Sequence, residues 1–351
     1  EYFRGIEGYT EGDGAVTFTR KELEEMFNET GFGSYKFMYP YPDYKFPFEF
    51  FSDSYLPAPG SLNSNHRNFD RNRLGLFDES KAFDNVVANG LFSVFANSYL
   101  VELSNEKINE SENLIYQKCS DDRSDSYDIV TSIYENRNGR YAVKSPFSSE
   151  AESHIEKYYI NVEHLDNQFK AENIKCCETK RVENGVKLEF LNNASLDSVL
   201  DQYYKKEDFA AVNKVFERLV GALRNVAVSK FEITDEFKKV FGDITFDKEY
   251  KSLNYTNVDM ILSNIIDCGD VWKLIDTEWV FDFPIPVDYV IYRIMRYYYE
   301  ANAGRYKYIA GAYVKFSDNE KKIFAKMEEG FQKYIISENV PIWELYKVMG
   351  K

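Results

Sequence analysis

The order of the secondary-structure patterns is the feature that most constrains this fold. Between Leu114 and Leu191 the sequence alternates in short runs that predict strands, interrupted by one amphipathic helix at Ser149–Leu165. From Leu196 onward apolar residues recur mostly at helical spacing, with one strand pair inserted at Ile265–Ile275. A β-rich half followed by a helical half predicts an α+β protein with a two-lobed domain.

Turn signals and apolar spacing set the bounds of these elements. Strands are predicted on either side of the turns Asn136–Gly139 and Glu183–Gly185. The four strands are Tyr127–Tyr134, Arg140–Lys144, Ile174–Val182 and Val186–Leu191. The predicted helices of the second half are Leu196–Tyr204, Glu207–Asn225 and Pro286–Tyr299.

The first hundred residues show a different pattern of predicted elements. Thr19 followed by Glu22 forms a capping box for a helix that ends at Gly31, and Ser34–Tyr39 alternates as a strand. The stretch Phe48–Asn72 has no regular spacing of apolar residues and is predicted to be an ordered loop.

A charged, polar stretch marks the predicted domain boundary. Leu91–Leu103 is apolar enough to predict a buried strand, and Ser104–Asn113 follows it. The predicted parts are therefore a helix–strand segment at residues 1–105, a small β-rich lobe at residues 106–195 and a helical lobe at residues 196–351.

Composition excludes two classes of function. The chain carries 43 Lys and Arg against 58 Asp and Glu, a formal net charge of −15. Nucleic-acid binders usually present a basic surface, because Lys and Arg must replace the counterions of the phosphates, so we expect no nucleic-acid partner. No apolar run approaches the roughly 18 residues that a membrane-spanning helix needs. We therefore expect a soluble protein with no membrane-spanning segment.

The cysteines and histidines give no sign of a metal or redox site. The four cysteines form no C-x-x-C motif, which favours free thiols in a reducing, cytoplasmic compartment. Three histidines are too few and too scattered for a zinc site or a Ser-His-Asp triad. Because the sequence begins with Glu1 rather than Met, we expect it to be a piece of a longer chain.

One segment has the residue types that phosphoryl transfer requires: a carboxylate near the attacking hydroxyl, oxygen ligands for Mg²⁺ and a cation on the phosphates. Asp259 is a candidate base or orienting group, and Asn264 is a candidate metal ligand. The predicted strand pair returns the chain so that Asp276 reaches the same end as Asn264, and such hard oxygen ligands suit Mg²⁺. Asp-x4-Asn also occurs at Asp84 and Asp208, but only the pair at Asp259 precedes an apolar strand pair ending in Ile-Asp.

The cation of this hypothesis is Lys144, at the end of the predicted strand Arg140–Lys144. A lysine in a Tyr-Ala-Val-Lys strand is similar to the one that pairs nucleotide phosphates and a helix glutamate in protein kinases. The next helix offers Glu150, Glu152 and Glu156 as partners, and Glu152 is favoured because it flanks the apolar face. The alternative is that these are solvated surface charges.

The order of these motifs over residues 112–300 resembles that of the protein-kinase-like fold. It is most similar to the order in the aminoglycoside- and choline-phosphotransferase branch of that fold. The resemblance implies ATP and Mg²⁺ as cofactors, with Asp259 as the catalytic aspartate and Lys144 and Glu152 at the nucleotide. It further implies that the strand end carrying Glu189 and Leu191 contributes to nucleotide binding. Asn264 and Asp276 would bind Mg²⁺, with Glu278 as a second acid.

The sequence departs from the family pattern at three places. Asn257 stands where His precedes the Asp motif, and Asp-Phe-Gly is replaced by Asp276-Thr-Glu278 with no Ala-Pro-Glu after it. The stretch Ser120–Ser126 replaces the glycine-rich loop and offers Arg123 as a phosphate ligand. These departures favour a small-molecule or glycan acceptor over a protein, and they leave open an inactive enzyme.

A second resemblance covers the first part of the chain. The runs Thr17–Phe32, Tyr35–Tyr44 and Phe92–Leu103 resemble the last helix and strands of a class I S-adenosylmethionine methyltransferase. The glycine-rich cofactor turn is absent, so S-adenosylmethionine would bind only through a missing upstream part. The alternative is an unrelated helix–strand cap on the kinase-like domain.

A methyltransferase joined to a kinase-like domain is similar to the bifunctional methyltransferase–kinases of bacterial O-antigen polysaccharide modification. They imply a cytoplasmic phosphotransferase that acts on a hydroxyl of a sugar or cell-surface glycan and is part of a methyltransferase–kinase polypeptide. An upstream methyltransferase or glycosyltransferase is the implied protein partner. One rival is a catalytically inactive, pseudokinase-like scaffold that docks a methyltransferase or glycosyltransferase. Another is a methyltransferase whose second half only binds substrate.

Overall fold

The computed structural model describes residues 18–42, 44–45, 47–62, 79–108, 111–120 and 123–338. The predicted loop Phe48–Asn72 lies outside these residues from position 63 onward, and so does His66. Thr17, the first residue of the methyltransferase resemblance, also lies outside them.

The chain divides into two compact units. The first is the described part of Glu1–Asp121 together with Val130–Tyr141, and the second is that of Asp122–Ile129 and Ala142–Asn339. Helices and strands occur in both units, so the protein is α+β as predicted. The predicted division at residues 105 and 195 remains a prediction.

The first unit is an antiparallel sheet covered by short helices. Its elements, the last two of which cross the division between the units, are α1 (Arg20–Thr30), β1 (Ser34–Tyr41), β2 (Glu49–Ser52), α2 (Glu79–Ala88), α3 (Phe92–Phe95), β3 (Leu100–Ser104), β4 (Asn113–Cys119), β5 (Ile129–Asn136) and β6 (Gly139–Pro146). Neighbouring strands follow the order β3-β1-β2-β4-β5. Phe37, Tyr39, Phe51 and Phe92 form its aromatic core.

The capped first helix is confirmed, because α1 has the predicted capping box of Thr19 and Glu22 and ends at Gly31 in the left-handed conformation. The predictions for the next two segments are wrong. The loop expected at Phe48–Asn72 contains β2, which pairs with β1 and β4. The buried strand expected at Leu91–Leu103 is instead α3 followed by β3, which pairs with β1 at one edge of the sheet and is mostly exposed.

Helical spacing explains this second error. Phe92 and Ala96 are four residues apart, and both reach the aromatic core of the first unit. That spacing brings two side chains to one side of a helix, so a turn of helix buries both. The prediction extends one strand over Leu91–Leu103, but its last apolar residues belong to the edge strand β3.

The second unit has a β-rich beginning and a helical remainder. Its elements, in chain order, are α4 (Glu152–Phe169), β7 (Ile174–Cys176), β8 (Thr179–Val182), β9 (Gly185–Glu189), α5 (Leu196–Lys205), α6 (Phe209–Val226), β10 (Ser229–Lys230), α7 (Asp235–Phe241), β11 (Lys251–Ser252), β12 (Thr256–Asn257), β13 (Ile265–Cys268), β14 (Val271–Leu274), β15 (Val280–Phe281), α8 (Val287–Glu300) and α9 (Asp318–Ile336). The predicted helices at Ser149–Leu165 and Pro286–Tyr299 are confirmed as α4 and α8.

The hairpin predicted at Ile265–Ile275 is confirmed as β13 and β14, with Gly269 in the left-handed conformation at its turn. The single strand predicted at Ile174–Val182 is wrong. It is divided into β7, which runs parallel to β14, and β8, which pairs with β9. The sequence pattern did not reveal this change of partner because both halves are short, at three and four residues, and only two residues separate them.

Two apolar cores hold the helical part together. One is centred on α5, α6 and α8, and the other lies between α7, α8 and α9. Gly330 in α9 permits a close approach, since a Cβ there would collide with the backbone of Phe241 at the end of α7. In the described part of the chain, no helix is both long and apolar enough to cross a membrane.

Candidate active site

Lys144 is a buried cation in the second unit. It lies in β6 with 6% of its surface exposed. Its Nζ is 2.7 Å from Asp276 Oδ2 and 3.5 Å from Glu278 Oε2. Burial disfavours the charged ammonium, but the two carboxylates outweigh that effect and raise the pKa of Lys144 above its usual value. The side chain is therefore charged and fixed in position.

Gly185 allows the chain to pack closely against the backbone of Lys144. Gly185 has φ of +147° in the turn between β8 and β9, and a Cβ there would collide with the carbonyl of Lys144. A side chain at this position would therefore push β6 away from the β8–β9 hairpin.

The segment that carries Asp276 is fastened to α4. Tyr158 donates its hydroxyl to the Ile275 carbonyl at 2.9 Å, and Asn161 donates its side-chain amide to the Thr277 carbonyl at 2.9 Å. The backbone is thus held on both sides of Asp276. The Ile275 amide also donates to the Asn264 carbonyl at 3.0 Å, so the hairpin brings Asp276 to Asn264 as predicted.

Two asparagines organise the loop around Asp259. Asn264 donates its side-chain amide to the Asp259 carbonyl at 3.0 Å. Asn257 accepts from the Asp259 amide at 2.9 Å and donates to the Asp276 carbonyl at 2.8 Å. Because Asn264 uses its nitrogen internally, its Oδ1 oxygen is the atom suited to a cation. Asn257 joins the two segments.

Arg293 of α8 holds the carboxylate of Asp259. The arginine is 2% exposed, and its Nη2 donates to Asp259 Oδ1 at 2.6 Å. Its Nη1 donates to Glu328 and its Nε to the Val258 carbonyl. Burial raises the pKa of Asp259; Arg293 opposes this, while the nearby carboxylates of Asp276 and Glu278 add to it. The net shift is upward.

Glu278 lies at the centre of a buried ion cluster. Its Oε1 accepts from Arg123 and is 3.1 Å from His154 Nε2, while its Oε2 faces Lys144. Burial alone would raise the pKa of Glu278, but Arg123, Lys144 and His154 hold it well below its usual range. For Glu278 to bind metal, or Arg123 to bind phosphate, each would have to leave this cluster.

The structure does not bring Glu152 to Lys144. Glu152 is the first residue of α4 and is exposed, whereas the ion pairs of Lys144 within the described chain are with Asp276 and Glu278. Of the other two candidates, Glu156 pairs with Arg181, and Glu150, which precedes α4, is exposed. The physical reason is that Glu152 lies on the exposed side of α4. His154, two positions later, lies on its buried side.

The predicted nucleotide-binding residues at the end of β9 have different surroundings. Glu189 is half-buried and pairs with Lys273 at 2.6 Å. Leu191 packs against a small apolar cluster that also contacts Ala142 and Ile275. Ala142 precedes Lys144 by two residues and Ile275 directly precedes Asp276, so this apolar cluster borders the charged one.

Sequence reasoning missed His154 and Arg293, although both left a signal. His154 lies three residues after Ala151 on the predicted apolar face of α4, and both side chains are buried. Arg293 lies between Val290 and Ile294 on the apolar face of α8. A polar or charged residue on an apolar face requires a buried partner, and that partner is Glu278 for the first and Asp259 for the second.

No group of three or more His, Cys, Asp or Glu side chains suited to a metal is present among the described residues. A metal hypothesis for this site therefore rests on Asp276 together with the amide oxygen of Asn264. Comparison of the sequence with models of known protein families and with curated proteins finds no match. The chemistry of the site must be argued from its own residues.

Proposed function

We propose that residues 106–351 form a kinase-like, two-lobed phosphotransferase that uses ATP and Mg²⁺ to phosphorylate a hydroxyl of a sugar or cell-surface glycan. The observation that carries the proposal is the convergence of Lys144, Asp259, Asn264 and Asp276. Lys144 and Asp276 are 132 positions apart in sequence yet in direct contact. Charges distributed by chance over a surface would give neither this contact nor the two hydrogen bonds by which Asn257 connects the Asp259 amide to the Asp276 carbonyl.

Each of these residues has a role that suits its surroundings. Asn264 Oδ1 and the Asp276 carboxylate are the hard oxygen atoms that would hold Mg²⁺, which would neutralise charge on the phosphate oxygens. Lys144 would pair with the phosphates, and Asp259, oriented by Arg293, would accept the proton of the attacking hydroxyl.

The apolar cluster beside these charges supports a nucleotide rather than a free phosphate. Ala142, Leu191 and Ile275 present apolar surface next to Lys144 and Asp276. A site that recognises a base together with a phosphate chain needs an apolar wall next to charged groups. The ion pair between Glu189 and Lys273 stabilises the chain just before Leu191.

The connection after Asp276 favours a small acceptor. Only residues 277–286 separate Asp276 from α8, and within them β15 pairs with β12. So short and paired a connection gives little length for a phosphorylation-switched segment of the kind that positions protein substrates. We propose that residues 1–105, a helix followed by antiparallel strands in their described part, are the tail of an associated methyltransferase.

The second candidate is an inactive scaffold that docks a methyltransferase or glycosyltransferase. It is favoured by the mutual neutralisation of the charged residues: Lys144 is paired with two carboxylates and Asp259 with Arg293. A scaffold would keep these pairs permanently. An enzyme would exchange the contact between Lys144 and Asp276 for nucleotide and Mg²⁺.

Thermal unfolding with ATP, with and without Mg²⁺, tests the proposal. Nucleotide at about 100 times its Kd stabilises the folded state by about 2.7 kcal/mol, which raises Tm by about 5–10 °C in a unit of this size. We expect this shift to require Mg²⁺ and to be lost in Asp276→Asn. The matched control is Asp282→Asn, which changes an exposed aspartate six positions later. A Tm unaffected by nucleotide would favour the scaffold.

A further inference from the structure

A pocket opens in the second unit, at the ends of two helices. It has a volume of about 490 Å³ and lies where α7 and α9 terminate, next to the segment Ser124–Tyr127. This volume falls within the usual range for small-molecule sites, roughly 300–1,000 Å³. None of the candidate active-site residues lines this pocket, so it is a separate feature.

The pocket is strongly basic in a strongly acidic chain. Lys238, Lys239 and Lys333 line it, and no carboxylate is among the described residues that form its walls. The chain as a whole carries 58 acidic against 43 basic residues. The two helix C-termini offset part of the lysine charge, since each carries roughly −0.5 of an elementary charge. Lys238 also pairs with Asp243 at 4.0 Å, so about one positive charge remains for a ligand, carried by Lys239 and Lys333.

Hydroxyl groups and aromatic rings complete the lining. Ser124 and Ser126 contribute hydroxyls, and the rings of Tyr127 and Tyr334 lie 5.4 Å apart with a tilt of 39°. Tyr127 also contacts Trp279 edge-on at 5.0 Å, which limits its movement. The pocket thus offers cations and hydroxyl donors for an anion together with a fixed aromatic wall for a ring.

We propose that this pocket binds a phosphate-bearing small molecule that contains a ring. A phosphate monoester has several strong acceptor oxygens, which match the ammonium groups of Lys239 and Lys333 and the two serine hydroxyls. A sugar or base ring packs against Tyr127 and Tyr334. Sugar phosphates and nucleoside monophosphates share this chemistry. The proposal does not depend on the phosphotransferase assignment.

Calorimetric titration of the full chain tests it, with inorganic phosphate, glucose 1-phosphate, adenosine 5′-monophosphate and glucose as probes. The two ring phosphates are expected to bind, and inorganic phosphate to bind more weakly. The double variant Lys239→Gln/Lys333→Gln should weaken binding by at least about tenfold, because two charge-assisted hydrogen bonds are lost. Tighter binding of glucose 1-phosphate would identify the ring as a sugar, and tighter binding of adenosine 5′-monophosphate would identify it as a nucleoside. Either result supports the proposal.

The control double variant is Lys206→Gln/Lys322→Gln, which removes the same charge from exposed positions outside the pocket. We expect it to bind the ring phosphates within about twofold of the unmodified chain, as surface charges far from a site act weakly. Failure of both ring phosphates to bind would overturn the proposal. So would equal loss in the two double variants, or glucose binding as tightly as its phosphate.

Discussion

Asp259→Asn is expected to reduce the rate of phosphoryl transfer by about 10²–10⁴-fold, the usual contribution of a positioned proton acceptor. The amide keeps the shape of the carboxylate but no longer accepts the proton of the attacking hydroxyl. The measurement is transfer of labelled γ-phosphate from ATP to a saccharide or, without one, to water. Nucleotide affinity should stay within about twofold, since this variant keeps both Lys144, the proposed phosphate ligand, and Asp276, a proposed Mg²⁺ ligand.

The control for this variant comes from the chain itself. Asp208 shares the Asp-x4-Asn spacing, but its side chain caps α6 by accepting from the Ala211 amide. Asparagine caps helices about as well as aspartate, so Asp208→Asn should keep its transfer rate. If Asp259→Asn retained more than about a tenth of the activity, Asp259 would not be the proton acceptor.

The pH dependence of transfer gives a readout that a purely structural role would not change. Burial raises the pKa of Asp259, and Arg293 opposes that rise. Transfer needs the ionised carboxylate, so the rate should fall on the acidic side as this group becomes protonated. Arg293→Gln removes the opposing cation, raises the pKa further and should move the acidic limb to higher pH.

Glu278→Gln is expected to lower the free energy of unfolding by about 3–5 kcal/mol at neutral pH, the cost of removing one partner from a buried ion pair. Lys144 keeps Asp276, but Arg123 loses the carboxylate it shares with His154 and Lys144. Urea denaturation measures this difference. The control is Glu189→Gln, which removes a half-exposed pair with Lys273 and should cost less than about 1 kcal/mol.

The effect of Glu278→Gln should depend on pH with a definite sign. The pKa of Glu278 is held well below its usual value of 4.5 in the folded protein. Its stabilising contribution is therefore complete above that value and is lost as pH falls below it, because the unfolded chain then binds the extra proton. The difference between the two proteins should shrink as pH is lowered from about 7 towards 3. A constant difference would show that shape, rather than charge, causes the loss.

Local signals predicted the elements that carry them. The capping box at Thr19 and the turn at Gly269 are local backbone requirements, and both elements formed where they were expected. α9 was not predicted, although Ser317 and Glu320 form the same kind of capping box. The division of Ile174–Val182 between two sheets depends on strands far away in sequence, and no local pattern reports it.

The candidate site shows the same limit. Spacing and hairpin geometry were enough to bring Asn264 and Asp276 together, since one hairpin, β13–β14, separates them in sequence and pairs Ile265 with Leu274. The pairing of Lys144 was not predictable in this way. Its partner depends on which residues of α4 face the core, and the carboxylates beside Lys144 are those of Asp276 and Glu278 rather than that of Glu152.

Hydrogen–deuterium exchange of the full chain, with and without ATP and Mg²⁺, tests the central claim most directly. The account predicts slower exchange in four segments that include the proposed site: residues 142–146, 187–191, 259–264 and 275–278. This protection should disappear when Mg²⁺ is withheld and in Asp276→Asn. Unchanged exchange in all four segments at millimolar nucleotide, or protection confined to other parts of the chain, would contradict it.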